Sequence, residues 1–181
     1  EKRQREIAYQ WWGQTGGLKS FDDAWLSQGL AEWSAFAFRE ANLTAGGLDA
    51  AQREQQERAL TFEQTASIAR APSALDDQSA AYQSIVFYKG SMIFRMLRET
   101  MGREKFDRLL QTYLQQYRGK NASIDAFEKL ATRILADNLR YFFAQWAEGT
   151  GAPEFTVDSQ ILRTRAGKVR LRGWRPRPAI A

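Results

Sequence analysis

Apolar residues recur at helical spacing over most of the chain, which predicts a mainly helical protein. The predicted helices cover residues 1–13, 22–42, 48–69, 80–101, 103–117, 124–135 and 138–148. Gly46-Gly47 is expected to separate two of these helices, and residues 71–73 are expected to form a loop. After Pro153 the pattern becomes alternating, which predicts strands over 154–165 and 168–174 around a turn at Ala166-Gly167.

This change of pattern also predicts the domain organisation. Residues 1–152 are expected to form a helical subdomain, and residues 153–181 a β element and a basic tail that leads to a next domain. No apolar run reaches the length of a membrane-spanning helix, so no membrane span is expected in this chain.

Two residue types that carry much enzyme chemistry are missing from the sequence. The chain has 181 residues and contains neither histidine nor cysteine. Disulfides, thiolate nucleophiles and Ser-His-Asp triads are therefore excluded, as is any zinc site built from imidazole or thiolate.

The positive charge is concentrated at the C-terminal end. The formal net charge is +5, yet residues 159–181 hold seven basic and no acidic residues, which leaves the remainder slightly acidic. A nucleic-acid-binding surface over the whole protein is not favoured, because its basic residues would be spread more widely. In the second predicted strand, alternation puts Lys168, Arg170 and Arg172 on one face. This face meets an anionic partner, is simply solvated, or forms an interface to a neighbouring domain outside this chain.

Three spaced segments carry a family resemblance. They are Arg5 to Gly13 (REIAYQWWG), Asp23 to Glu32 (DAWLSQGLAE) and Phe87 to Gly90 (FYKG). In this order they resemble the membrane alanyl aminopeptidase (aminopeptidase N-like) family, gluzincin zinc metallopeptidases with a thermolysin-like catalytic domain. The likeness extends over about residues 5–157 and implies that the chain is the helical half of such a domain, with a short C-terminal β-hairpin.

The resemblance implies where the zinc ligands would be. Arg5 and Tyr9 stand where the family has its two histidines, and Gln28 stands where it has its ligand glutamate. Eighteen residues separate Tyr9 from Gln28, as they separate the second histidine from that glutamate. A guanidinium has no acceptor and repels cations, and a carboxamide or a neutral phenol is a weak zinc ligand. We therefore expect no zinc, the family's cofactor, at this site.

The remaining site positions follow from the same resemblance. Glu6 stands at the general base, and Glu32 at a carboxylate that orients a ligand imidazole. Phe87 replaces the tyrosine whose hydroxyl stabilises the oxyanion. The neighbouring Tyr88 is not expected to take over, because adjacent helical positions point about 100° apart. Without a metal, Glu6 has little to activate, so no catalytic residue is expected to be functional.

Two interpretations of Arg5 stay open at this point. Its side chain either fills the metal position and pairs with Glu6, Glu32 or Asp23, or it is solvated at an exposed helix start. Trp11, Trp12, Trp25 and Trp33 are expected mostly to pack in the core and between helices.

The leading function is therefore a catalytically inactive, aminopeptidase-like domain that binds a peptide or protein. One alternative is a zinc-type aminopeptidase with an atypical site. The other is a structural or assembly module that docks an anionic partner through its basic tail. The rest of a parent chain upstream of Glu1 is expected to cover the apolar face of the first helix.

Overall fold

A computed structural model describes residues 2–14, 16–152, 160–163 and 169–172 of the chain. Its helices are α1 (Lys2–Trp12), α2 (Ala24–Glu40), α3 (Ala45–Leu60), α4 (Ala71–Ala74), α5 (Ala80–Tyr82), α6 (Gly90–Met101), α7 (Arg103–Tyr117), α8 (Ile124–Leu135) and α9 (Arg140–Phe143). Its strands are β1 (Gly17–Leu18), β2 (Asn121–Ala122), β3 (Gln160–Arg163) and β4 (Val169–Arg172). The predicted mainly α fold is confirmed.

The core is built around α2 and α6. Trp25 and Leu30 of α2 and Phe94 of α6 are fully buried, together with Phe106 of α7 and Phe127 of α8. The rings of Phe94 and Phe127 meet edge to face with centroids 5.7 Å apart. Aromatic side chains from four helices therefore share one core, in which α2 is central.

A close crossing joins α2 to α6. A Cβ atom on Gly29 would lie 3.1 Å from the backbone of Gly90, and a Cβ on Gly90 would lie 3.1 Å from the Cα of Gly29. Both glycines belong to the segments that carry the family resemblance. Their missing side chains let α2 and the start of α6 approach each other closely.

Two π-helical segments interrupt what the sequence predicted as regular helices. The predicted helix over 80–101 consists of α5, a π-helical segment at Gln83–Lys89 and α6. The predicted helix over 138–148 is α9 followed by a π-helical segment at Ala144–Glu148. Apolar spacing cannot separate these forms, because a π turn changes the angle between successive residues only slightly.

Three local predictions were wrong. Gly46 and Gly47 lie in the first turn of α3 rather than between helices, because Thr44 is extended and its carbonyl accepts the first helical bond from Leu48. Residues 71–73 begin the short helix α4, because proline fits the first turn of a helix. The helix predicted over 48–69 ends at Leu60, because the chain then forms turns in which the N–H of Glu63 donates to the carbonyl of Leu60 and the N–H of Thr65 to that of Phe62. The parallel strands β1 and β2 were not predicted, because they are too short to show alternation.

The C-terminal end carries the predicted hairpin. Strands β3 and β4 are antiparallel, with Gln160 opposite Arg172 and Arg163 opposite Val169. The predicted turn at Ala166-Gly167, and Lys168 on the basic face, lie outside the described residues. The chain divides into two units, Glu1–Thr150 and Gly151–Ala181.

Candidate functional site

The segments that carry the resemblance meet at one place. Arg5 and Glu6 come from α1, Glu32 comes from α2, and Phe87 comes from the π-helical segment at Gln83–Lys89. α2 is positioned by a short 3-10 turn in which the carboxylate of Asp23 accepts hydrogen bonds from the backbone N–H and the hydroxyl of Ser20. A capping box thus fixes the 3-10 turn at Phe21–Asp23, which leads directly into α2.

Arg5 lies at the centre of this site. Its side chain is only 11% exposed, and its Nη1 lies 3.7 Å from Oε2 of Glu32, which is 2% exposed. Its Nη2 lies 3.5 Å from Oε1 of Glu6, and the guanidinium carbon lies 4.2 Å from the centroid of the Phe87 ring. The structure therefore favours the first of the two interpretations of Arg5. The guanidinium links α1, α2 and the π-helical segment by charge and by a cation–π contact.

Asp23, the third partner considered for Arg5, is occupied elsewhere. Besides Ser20, its carboxylate accepts a hydrogen bond of 2.9 Å from the backbone N–H of Ile124, at the start of α8. This contact spans 101 positions of sequence, so local spacing gives no signal for it.

The other positions of the predicted site have different surroundings. The Glu6 side chain is 60% exposed. The ring of Tyr9 lies over Gly13, one turn further along α1, where a Cβ atom would clash with it. Gln28 is partly buried on α2. The three ligand positions thus present a buried cation, a ring packed along its own helix and a neutral amide.

Aromatic side chains form one wall of the site. The rings of Phe87 and Tyr82 meet edge to face at 5.8 Å. Burial raises the pKa of the Tyr82 hydroxyl, and repulsion from Asp77 and then from Tyr9 raises it further. The Tyr82 hydroxyl is therefore neutral at physiological pH and supplies no negative charge beside the guanidinium.

Tyr88 forms a separate contact next to Phe87. Its hydroxyl accepts a hydrogen bond of 2.7 Å from Nη1 of Arg58, whose Nη2 lies 2.6 Å from Oε1 of Glu54. Arg58 and Glu54 lie four residues apart on α3. Tyr88 thus contacts α3 through Arg58, and its inability to replace the missing hydroxyl stays a prediction.

A cavity of about 380 Å³ opens beside the guanidinium. Its described lining consists of Arg5, Arg58, Asp77, Gln78, Gln83, Phe87 and Tyr88. Sequence analysis identified Arg5 and Phe87 but missed the contribution of α3 and of the turn before α5. The available signal was the Glu54–Arg58 spacing, which is typical of an ion pair on a helix surface and does not reveal a cavity.

The last residue of the π-helical segment makes a buried ion pair. Nζ of Lys89 lies 2.7 Å from Oε1 of Glu63, and the two side chains are 1% and 7% exposed. Three successive residues, from Phe87 to Lys89, therefore contact Arg5, Arg58 and Glu63 in turn. The segment binds α1, α3 and the turn after α3 together.

Comparison with protein-family models identifies the family to which the chain belongs. The sequence model of the Peptidase family M1 domain matches residues 4–146. The chain belongs to peptidase family M1. The resemblance seen in the sequence is thereby confirmed, and the family is zinc-dependent.

Curated relatives match nearly the whole chain at low identity. Aminopeptidase M1-D of Oryza sativa subsp. japonica is 23% identical over 157 residues, covering 84% of this chain and 18% of that protein. Glutamyl aminopeptidase of Rattus norvegicus is 25% identical over 161 residues, covering 86% of this chain and 17% of that protein. The M1 chain therefore spans less than a fifth of the length of these relatives.

Solved structures agree on the fold. An M1 zinc metallopeptidase mutant from Deinococcus radiodurans, bound to a Tyr-Ser-Ala substrate, matches with a TM-score of 0.67 at 21% identity. The match covers 84% of this chain and 33% of that one. Aminopeptidase A of Legionella pneumophila matches with a TM-score of 0.59 at 20% identity. The helical part of an M1 catalytic domain is thus the fold of this chain.

Two features are not found among the described residues: a cluster of acidic side chains that could hold a metal ion and a membrane-spanning helix. In that part of the chain, no group of three or more acidic side chains is placed to hold a metal ion together. No helix there is long and apolar enough to span a membrane.

Proposed function

We propose that this M1 chain is a catalytically inactive, aminopeptidase-like domain that binds a peptide or a protein. The observation that carries the proposal is the position of Arg5. A largely buried guanidinium lies between Glu32 and Phe87, at the position where the family places a zinc ligand.

The residues present do not fit the zinc ion that the family uses. Zinc is bound in proteins by imidazole, thiolate or carboxylate groups. The three ligand positions here hold a guanidinium without a lone pair to donate, a phenol and a carboxamide. Arg5 also brings a positive charge to the place where a dication would bind, and its nitrogens lie 3.5 Å from Glu6 and 3.7 Å from Glu32.

The groups needed for hydrolysis are changed as well. Glu6 retains the carboxylate of a general base, but a base without a polarising metal has no acidified water to deprotonate. Phe87 has no hydroxyl to stabilise an oxyanion, and its ring is occupied by the guanidinium of Arg5. Losing both functions argues for a domain that no longer cleaves peptides.

A binding role is supported by what the site retains. The cavity beside Arg5 has charged, amide and aromatic groups in its lining, which are the groups that recognise peptide backbone and termini. It adjoins Arg5 and Phe87, two of the positions that carry the resemblance, which supports a role in binding without the chemistry.

Metal content and hydrolysis test this proposal directly. The purified chain is incubated with zinc, desalted and analysed for bound metal, and it is assayed with an aminoacyl nitroanilide with and without a chelator. We expect far less than one zinc per chain and no chelator-sensitive turnover, because the ligand positions have no suitable donors. Stoichiometric zinc with chelator-sensitive turnover would instead establish the alternative, an aminopeptidase with an atypical site.

The matched control restores the family's ligands. The triple variant Arg5→His, Tyr9→His, Gln28→Glu supplies two imidazoles one turn apart on α1 and a carboxylate on α2. We expect it to bind zinc, which would show that the assay detects a metal site in this chain. The single variant Tyr9→His is expected to bind no zinc, because Arg5 and Gln28 remain.

A further inference from the structure

We infer that the cavity beside Arg5 binds a terminal α-carboxylate, either of a short peptide or of a free amino acid. The inference rests on the proposed function and specifies which end of a ligand the site holds. Three observations carry it: the long distances between Arg5 and its two carboxylate partners, the donor capacity of Tyr88 and the polar groups of the cavity lining.

Arg5 retains hydrogen-bonding capacity toward an anion. Its distances to Glu6 and Glu32, 3.5 and 3.7 Å, are longer than those of strong charge-assisted hydrogen bonds, about 2.7–2.9 Å. A guanidinium has five N–H donors in a planar arrangement that matches a carboxylate. Because the side chain is 11% exposed and lines the cavity, a carboxylate there would bind with little competition from water.

Tyr88 supplies a neutral donor to the same cavity. Its oxygen accepts the hydrogen bond from Arg58, so its own hydrogen remains available for donation. This contact also holds the ring beside the guanidinium of Arg58, whose carbon lies 5.2 Å from the ring centroid. Both Tyr88 and Arg58 line the cavity. A carboxylate can therefore accept from Arg5 on α1 and from Tyr88 on the π-helical segment.

The lining offers several polar groups to a ligand that carries a carboxylate. The described lining contains two guanidinium groups and the carboxylate of Asp77, while Glu54 pairs with Arg58, and Glu6 and Glu32 pair with Arg5 from outside the lining. The carboxamides of Gln78 and Gln83 can bind a peptide group, and Asp77 can receive an ammonium group. A volume of about 380 Å³ suits a ligand of one or two residues.

Binding measurements with matched ligands test the inference. The complete 181-residue chain is titrated with two pools of N-acetylated tripeptides of mixed sequence, one with free C-termini and one amidated, and with a mixture of free amino acids. We expect the free-acid peptides to bind at least about tenfold more tightly than the amidated ones, because amidation removes the charge. Binding of free amino acids but not peptides would identify the other source of the same carboxylate.

Variants locate the site. Tyr88→Phe removes one hydroxyl with almost no change in shape, and we expect it to weaken free-acid binding about three- to tenfold. Arg5→Gln is expected to weaken it at least about tenfold. Arg53→Gln, also on α3 but remote from the cavity lining, is the control and should bind like the unchanged chain. Circular dichroism identifies any variant that has lost its fold.

Two outcomes would overturn the inference. One is equal affinity for the free-acid and amidated pools, and the other is unchanged free-acid binding by folded Arg5→Gln and Tyr88→Phe. If neither pool nor the free amino acids bind, the carboxylate site is also refuted. In each case the metal and hydrolysis results still decide the proposed function separately, because they do not depend on the ligand.

Discussion

At the scale of single residues, buried charges determine how the site is held together. Lys89 and Glu63 are almost completely buried and lie 2.7 Å apart, and Oε2 of Glu63 is buried without a hydrogen-bond partner among the described residues. Breaking such a pair by removing one partner leaves an uncompensated charge away from water. The ion pair therefore fixes the geometry at the end of the π-helical segment, where Phe87 and Tyr88 meet the site.

The variant Lys89→Met tests this role. It leaves Glu63 buried without its cation, so we expect the free energy of unfolding to fall by about 3–5 kcal/mol in urea denaturation. The double variant Lys89→Met, Glu63→Leu should recover most of this loss, because neither side chain then carries a charge. Lys129→Met is the control: Lys129 and Asp125 are also 2.7 Å apart but exposed, so little change is expected. A loss no larger than the control's would refute the role.

The sequence was informative about which groups changed but not about how they pair. The substitutions at Arg5, Tyr9 and Gln28 are visible by matching spaced motifs. The choice of Glu32 over Asp23 as a partner of Arg5 is not visible, because Asp23 is held by the start of α8 far along the chain. Burial of Lys89 was also missed, because its partner Glu63 is 26 positions away and lies on a turn that was predicted to be helical.

At the scale of elements, the crossing of α2 and α6 decides where the site forms. Gly29 and Gly90 face each other closely enough that a Cβ on either residue would lie 3.1 Å from the partner's backbone. Both glycines are part of the motifs read from the sequence, and their contact explains why the motifs contain them. The π-helical segment before α6 was not predicted, because its hydrogen bonding depends on packing against α2 and α3 and not on apolar periodicity.

Alanine substitutions at this crossing test its importance. In Gly29→Ala, the new methyl group would lie 3.0 Å from the ring of Phe94 and 3.1 Å from the Gly90 backbone. We expect stability to fall by about 1–3 kcal/mol, the usual cost of overpacking, measured by thermal and urea denaturation. Gly46→Ala, where nothing lies within 4 Å, is the matched control and should raise stability by up to about 1 kcal/mol. Equal effects at the two positions would contradict the proposed crossing.

At the scale of the whole molecule, α1 combines the site with an apolar surface. Ile7 is 72% exposed, whereas Trp12 is partly buried and donates a hydrogen bond of 2.8 Å from its ring nitrogen to the hydroxyl of Ser34. Trp25 is fully buried and Trp33 packs edge to face on Phe106, so these three tryptophans pack as expected, whereas Trp11 is 64% exposed. The helix that carries Arg5 is thus anchored on α2 along one side and open along another.

The domain boundary predicted at residues 152 and 153 is testable by truncation. Buried core residues are found from Ala24 to Ala147, so a chain of residues 1–152 retains the described core. We expect it to melt within about 2 °C of the complete chain when followed by far-UV circular dichroism. The control, residues 1–138, loses Leu139, Phe143 and Ala147, and with Ala147 the carbonyl that accepts from the N–H of Ala69.

The two truncations should differ clearly. Removing buried leucine and phenylalanine side chains costs about 2–5 kcal/mol each, and each kcal/mol lowers the Tm of a domain of this size by about 2–4 °C. The 1–138 chain should therefore melt at least about 10 °C lower or fail to fold. A similar loss in the 1–152 chain would show that residues 153–181 belong to the cooperative unit that holds Arg5 in place, and the predicted boundary would then be wrong.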